Sequence, residues 1–144
     1  MNEEIFWKAV DDMGWEANGF DYDKIGKDLE ARIWAEYGDQ QAGEIAKSLR
    51  LFMNNPYRRL YKAVDKAARD AKAYVGGDDS FDDLLNHIIG LGKAEYDRVM
   101  ENPILAVERF QRDDYRESFA YCFHAAHERA NGGPYDCREQ DNLG

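Results

Sequence analysis

At 144 residues, with 44% hydrophobic and 13% aromatic side chains, the chain can bury one packed core and is too apolar for a disordered segment. A formal net charge of -10 opposes a whole-molecule attraction to phosphate backbones. No run approaches the roughly 20 apolar residues of a membrane span.

The charge is uneven. Residues 1–40 hold 11 acids and 4 bases, residues 41–77 hold 3 and 8, and residues 78–114 hold 10 and 4. The simple reading is that the basic middle neutralises the acidic segments within one fold. The sharper one is an acidic face that binds a basic partner or imitates nucleic acid.

The chain opens with MNEEIFWKAVDD, which lacks the basic-then-apolar order of a secretory leader and predicts a cytoplasmic location. Ile5, Phe6, Ala9, Val10 and Met13 recur at helical spacing and predict a first helix over 2–13. Gly14 and Gly19 bracket a turn holding Trp15. Asp21 is placed to cap a helix over 24–37, with Ile25, Leu29, Ile33, Trp34 and Tyr37 as its stripe and Gly38 as its stop.

Asp39 is placed to cap a third helix, whose stripe is Ala42, Ile45, Ala46, Leu49, Phe52 and Met53. Asn54-Asn55-Pro56 breaks the pattern and restarts it, because proline is tolerated in a first turn. From Pro56 to Tyr74 the apolar positions are Leu60, Tyr61, Val64, Ala67, Ala68 and Ala71. Arg58, Lys62, Lys66 and Arg69 fall on the opposite side.

A corner follows. Gly76 and Gly77 open backbone angles closed to other residues, and Asp78, Asp79 or Ser80 can accept hydrogen bonds from the free amides of the next helix. Phe81, Leu84, Leu85, Ile88 and Ile89 form that helix's buried face, and Gly90 and Gly92 break it. Pro103 starts a short helix with Ile104, Leu105, Val107 and Phe110. Asp113 or Asp114 is placed to cap a last helix over 115–129, carrying Phe119, Cys122, Phe123 and Ala126. No segment alternates with period two. The pattern predicts an all-α fold: one compact bundle of roughly seven or eight helices over residues 1–130, with a flexible tail over 131–144. Cys122 reads as a buried small hydrophobe and Cys137 as a tail residue, with no disulfide expected between them.

The segment Gly76-Gly77-x-Asp79-x-Phe81, then Ile89, Gly92, Tyr96 and Pro103, resembles an uncharacterised bacterial family, domain of unknown function 4240. Phe6-Trp7 is similar to that family's start, and Glu117, Ala126 and Gly132 match its closing helix. The resemblance is strongest over 74–105. It implies a helical fold, bacterial or phage ancestry, and a small stand-alone protein or a module beside WGR domains, with no activity to transfer. The family has a tryptophan where this chain has His87, so no role of that ring is implied.

Chemical motifs are sparse. His124 and His127 are three apart with alanine after the first, not the four-apart histidines with intervening glutamate of a zinc protease helix. They read as helix-surface residues, and no metal or cofactor is expected. The acids at 78–83 lack the ligand ladder of a calcium loop. G-x-S-x-G, the P-loop and GxGxxG are all missing. Arg58, Arg59, Lys62, Lys66, Arg69 and Lys72 make a basic strip. Pairing with the acidic first forty residues explains it more simply than nucleic acid does.

The expected function is therefore a small acidic interaction or regulatory module working through a protein partner with a basic surface. Its most concrete form is an inhibitor masking the nucleic-acid-binding surface of a host defence protein. Asp11, Asp12, Asp21, Asp23, Asp78, Asp79, Asp82 and Asp83 are the candidate binding acids. The alternative is a small enzyme with a pocket between the corner and the last helix, built from Asp79, His87, Tyr96 and His124. A third reading is a homodimer through Trp7 and Trp15.

Overall fold

The computed structural model describes residues 1–38 and 41–131. Among these residues the regular structure is helical throughout: α1 (Glu3–Met13), α2 (Tyr22–Tyr37), α3 (Ala42–Phe52), α4 (Asn54–Asp70), α5 (Asp78–Gly90), α6 (Lys93–Glu101), α7 (Ile104–Gln111) and α8 (Tyr121–Asn131). The expected cap Asp39, the tail beyond Asn131 and Cys137 lie outside the described residues. No described helix is long and apolar enough to cross a membrane.

The stripes pack as the periodicity requires. Ile25, Leu29 and Ile33 of α2, Ala42, Ala46 and Leu49 of α3, and Leu60, Val64 and Ala68 of α4 are all buried. Together with Phe81, Leu84, Leu85, Ile88 and Ile89 of α5 and Cys122, Phe123 and Ala126 of α8, most of them join one apolar cluster drawing on all eight helices. Asn2 caps α1 by accepting the Ile5 amide at 2.9 Å, and Asp21 caps α2 by accepting that of Lys24 at 3.2 Å.

Five local expectations are corrected. In α1 the buried side chains are Phe6, Trp7, Val10 and Met13, while Ile5 is left exposed against a cavity of about 410 Å³ between α1, α2 and α3. Trp34 is also exposed. Trp7 and Trp15 are buried at 3% and 1% exposure and cannot form a dimer interface; Tyr22, Trp34, Tyr61 and Tyr121 are among the rings left outside. At the corner, only Gly76 uses a left-handed angle (φ 80), and α5 starts on the Gly77 backbone with no side-chain cap. Asp78 and Asp79 occupy the first turn instead, where their charge faces the positive helix end.

The last correction concerns residues 113–120. These form an irregular strap rather than the first turns of α8. Asp113 (φ 56) ends α7, with the Asp114 amide reaching the Arg109 carbonyl at 3.0 Å and the Asp113 amide reaching that of Phe110 at 3.0 Å. Ser118 (φ 83) bends the strap again before α8. Phe119 still points inward, onto Gly90, where any Cβ would stand 2.6 Å from its ring.

A second close approach joins α2 and α8. A Cβ on Gly26 would lie 2.7 Å from Ala125 Cβ and 2.8 Å from the Cys122 carbonyl oxygen. A glycine inside a helix sacrifices helix propensity, and here the missing side chain lets two backbones meet. α8 therefore lies tightly on α2 and α3, and its exposed edge faces α5 across a gap.

Candidate functional site

That gap is the site. The N-terminal half of α5 and the strap form two walls of a cavity of about 500 Å³, and α8 and α3 form the others. α5 contributes Asp79, Asp82, Asp83 and Asn86, the strap contributes Glu117, Ser118 and Ala120, α8 contributes Tyr121 and His124, and α3 contributes Arg50. An adjoining cavity of about 570 Å³ shares Tyr121 and His124 and continues to Tyr22, Asp23, Glu128 and Arg129. The rings of Tyr22 and Tyr121 meet edge-on at 5.6 Å between these helices.

The helical period explains the grouping on α5. Asp79, Asp82, Asp83 and Asn86 follow at steps of three, one and three, so they share one face while Phe81, Leu84, Leu85 and Ile88 turn inward. Crowded carboxylates resist ionisation. The Asp83 carboxyl is held above its usual range, by partial burial first, then by Glu117, Asp82 and Asp79. Asp82 accepts a hydrogen bond from the Tyr57 hydroxyl, and burial followed by this bond pushes the phenol pKa well up. Arg50 is 9% exposed and sends Nη1 to Asn54 Oδ1 at 3.3 Å. Burial, then Arg50 and His127, push His124 down to about 4, so it is neutral at pH 7.

The other predicted acids are engaged elsewhere. Asp11 accepts the main-chain N–H of Lys93 at 3.1 Å and so caps α6 from across the fold. Asp12 is paired with Lys8 at 2.9 Å, and its carbonyl accepts from Arg32. Asp21 is the α2 cap, Asp23 walls the adjoining cavity 3.7 Å from Arg129, and Asp78 is exposed on the first turn of α5.

Of the four residues proposed for an enzyme pocket, Asp79 and His124 line the cavity and two do not. Tyr96 is buried between α1, α4 and α6, 4.9 Å from the Trp7 ring, with its hydroxyl donating to the Pro56 carbonyl at 3.3 Å and accepting from Arg59 at 3.2 Å. His87 is 2% exposed on the inner side of α5. Its Nδ1 accepts the Trp15 indole N–H at 3.0 Å and the Arg116 main-chain N–H at 3.1 Å. Both partners are donors, which places the ring proton on Nε2.

The histidine pair on α8 is also not a surface pair. His127 is buried, and its Nδ1 donates to the Gly43 carbonyl at 3.0 Å. Cys122 is buried too, and burial raises its thiol pKa to about 12, far from a reactive thiolate. Among the described residues no group of three or more His, Cys, Asp or Glu side chains could hold a metal ion.

Three of the six bases in the strip are ion-paired, one of them with the first forty residues. Arg59 pairs with Glu3 of α1, Lys66 with Asp70 at 2.7 Å, and Arg69 with Asp65 at 2.9 Å. Sequence reasoning missed Arg50, Glu117 and Tyr121 as cavity residues. Only Arg50 carried a signal, four residues after Ala46 and three before Met53 at the edge of an apolar stripe.

No family model, curated protein or solved structure matches this chain.

Proposed function

We propose that the chain is an acidic interaction module that receives a basic segment of a partner protein in the cavity between α5 and α8. The supporting observation is the set of four carboxylates, Asp79, Asp82, Asp83 and Glu117, around one recess, with Asp83 raised by partial burial and then by its neighbours. An arriving guanidinium or ammonium group would relieve that mutual repulsion, and the exposed faces of Tyr22 and Tyr121 would accept its neighbours by cation–π contact. The finer form of the reading is an inhibitor that covers a basic nucleic-acid-binding surface of a host protein. Kinship with domain of unknown function 4240, a bacterial or phage source and a cytoplasmic site belong to the same proposal.

The test is calorimetric titration with an oligo-arginine peptide, with amide shift mapping. Saturable binding centred on α5 and the start of α8 is expected. It should weaken steeply with added salt and fall about tenfold in Asp79→Asn/Asp83→Asn, one charge-assisted contact's worth. Binding spread evenly over the surface, or unchanged in that variant, refutes the reading.

A second reading has one observation behind it. Asp79 and the neutral His124 share the cavity with a raised Asp83, which is an acid–base set for a small enzyme. Dispersal of His87 and Tyr96 removes half of the residues first suggested for it. A homodimer, if formed, would use the exposed rings rather than Trp7 or Trp15.

A further inference from the structure

His87 is a buried polar side chain that accepts two hydrogen bonds at one nitrogen. It draws together three segments far apart in sequence: the turn after α1 through Trp15, α5 through its own backbone, and the strap through Arg116. Phe20 packs 5.4 Å from the His87 ring and carries the Arg116 guanidinium on its other contact, 5.4 Å from its centroid. Trp15 also stands edge-on to Phe119 at 5.2 Å, where the strap meets α8.

The two bonds share one nitrogen lone pair, and both depend on that nitrogen carrying no proton. Once Nδ1 is protonated it becomes a donor, facing two N–H groups that have nothing left to bind. The indole N–H would be a buried donor without an acceptor and the part-buried Arg116 N–H would lose its partner, a state that folded chains avoid by moving. The strap lies outside any helix and is bounded by two residues of positive φ, Asp113 and Ser118, so no helical hydrogen-bond ladder runs through its centre. Arg116 and Glu117 between them are exposed, whereas Tyr115 stacks on Phe110 at 5.8 Å and is the apolar contact that release must give up.

We propose that His87 is an acid-released latch: a proton taken from solvent at Nδ1 breaks its hydrogen bonds to Trp15 and Arg116 together, and the 113–118 strap swings away from α5. Because Glu117 and Ser118 belong to that strap, release removes one wall of the acidic cavity. Charged groups around the ring set the threshold. Arg109 of α7 and Arg116 of the strap oppose the proton, while Asp114 of the strap and Glu95 of α6 favour it. Arg109 is itself tied to Asp114 at 3.0 Å and lies 3.7 Å from Glu95, so these acids are partly spent on it. On α5, Asp83 lies one turn earlier and faces the cavity. Burial and Arg109 place the transition near pH of about 4, below the ordinary histidine range.

The wild-type protein tests this by ¹H–¹⁵N correlation spectra from pH 7 downward. The Trp15 indole and Arg116 amide signals should lose their hydrogen-bonded shifts with one shared midpoint, while amides of α2 and α3 that face neither His124 nor a carboxylate keep theirs. Different midpoints, or no change before the whole fold melts, would overturn the latch. His87→Asn supplies a second check, since its amide oxygen can accept near the Nδ1 position and does not titrate. Both signals should then stay fixed through the same range, and a transition that survives in this variant also overturns the proposal. Only the effect on partner binding rests on the docking reading. Oligo-arginine that fails to bind at pH 7, with the synchronous transition intact, leaves the latch standing and removes the docking site.

Discussion

Two buried histidines hold two seams of this molecule, and they do so with opposite chemistry. On the α2–α3–α8 side, His127 donates from Nδ1 to the Gly43 carbonyl, and Gly26 lets α2 and α8 touch without side chains between them. On the corner side, His87 accepts at Nδ1 from Trp15 and Arg116. A second proton leaves the first bond in place and abolishes the other two. The first seam is a permanent joint, whereas the second is conditional. The cavity and most of the strained backbone near it lie beside the conditional one.

Acid breaks this comparison most strongly. His87 has a folded-state pKa below its unfolded value, so its contribution to stability is full above about 6.5 and is lost as pH falls toward about 4. Those two values correspond to a loss of about 3 kcal/mol for His87 alone. His124 is depressed in the same direction and adds to it, while the raised Asp83 carboxyl acts with opposite sign and offsets a part. Urea unfolding at pH 7 and pH 4.5 measures the difference. The His87→Asn protein should show a shallower fall, with the share due to His124 remaining.

Overpacking the permanent seam comes next. Gly26→Ala should gain up to about 1 kcal/mol in helix propensity but lose more to the clash with Ala125 and the Cys122 carbonyl, for a net cost of about 2 kcal/mol. This loss should be equal at pH 7 and pH 5, because nothing in that contact titrates. A pH-dependent loss would mean that the seams are coupled. The smallest effect is expected from Asp11→Ala, which removes the acceptor for the Lys93 amide. About 1 kcal/mol is the usual worth of such a cap, readable as a lower urea midpoint with unchanged slope.

The helices were legible because apolar residues at spacings of three and four have one physical use in a chain of this polarity. Ile25, Leu29 and Ile33, or Leu84, Leu85 and Ile88, could only be buried faces. The cavity was half legible. A pocket between the corner and the last helix was expected, and Asp79 and His124 line it, but Tyr96 went to a different interior site and Glu117 arrived unannounced. The strap was misread as helix because Phe119, Cys122 and Phe123 continue an apolar period. The left-handed Asp113 and Ser118 that interrupt it leave no mark in such a period.

Composition and periodicity thus determined the helical class, the approximate helix bounds and the acidic character of α5, since these depend on neighbours within a few residues. Tertiary structure alone decided what His87, Gly26 and Asp11 do. Their partners stand 72, 96 and 82 residues away, counting Cys122 for Gly26. A hydrogen bond or a steric contact of that range is set by how whole helices pack, and local pattern does not encode it.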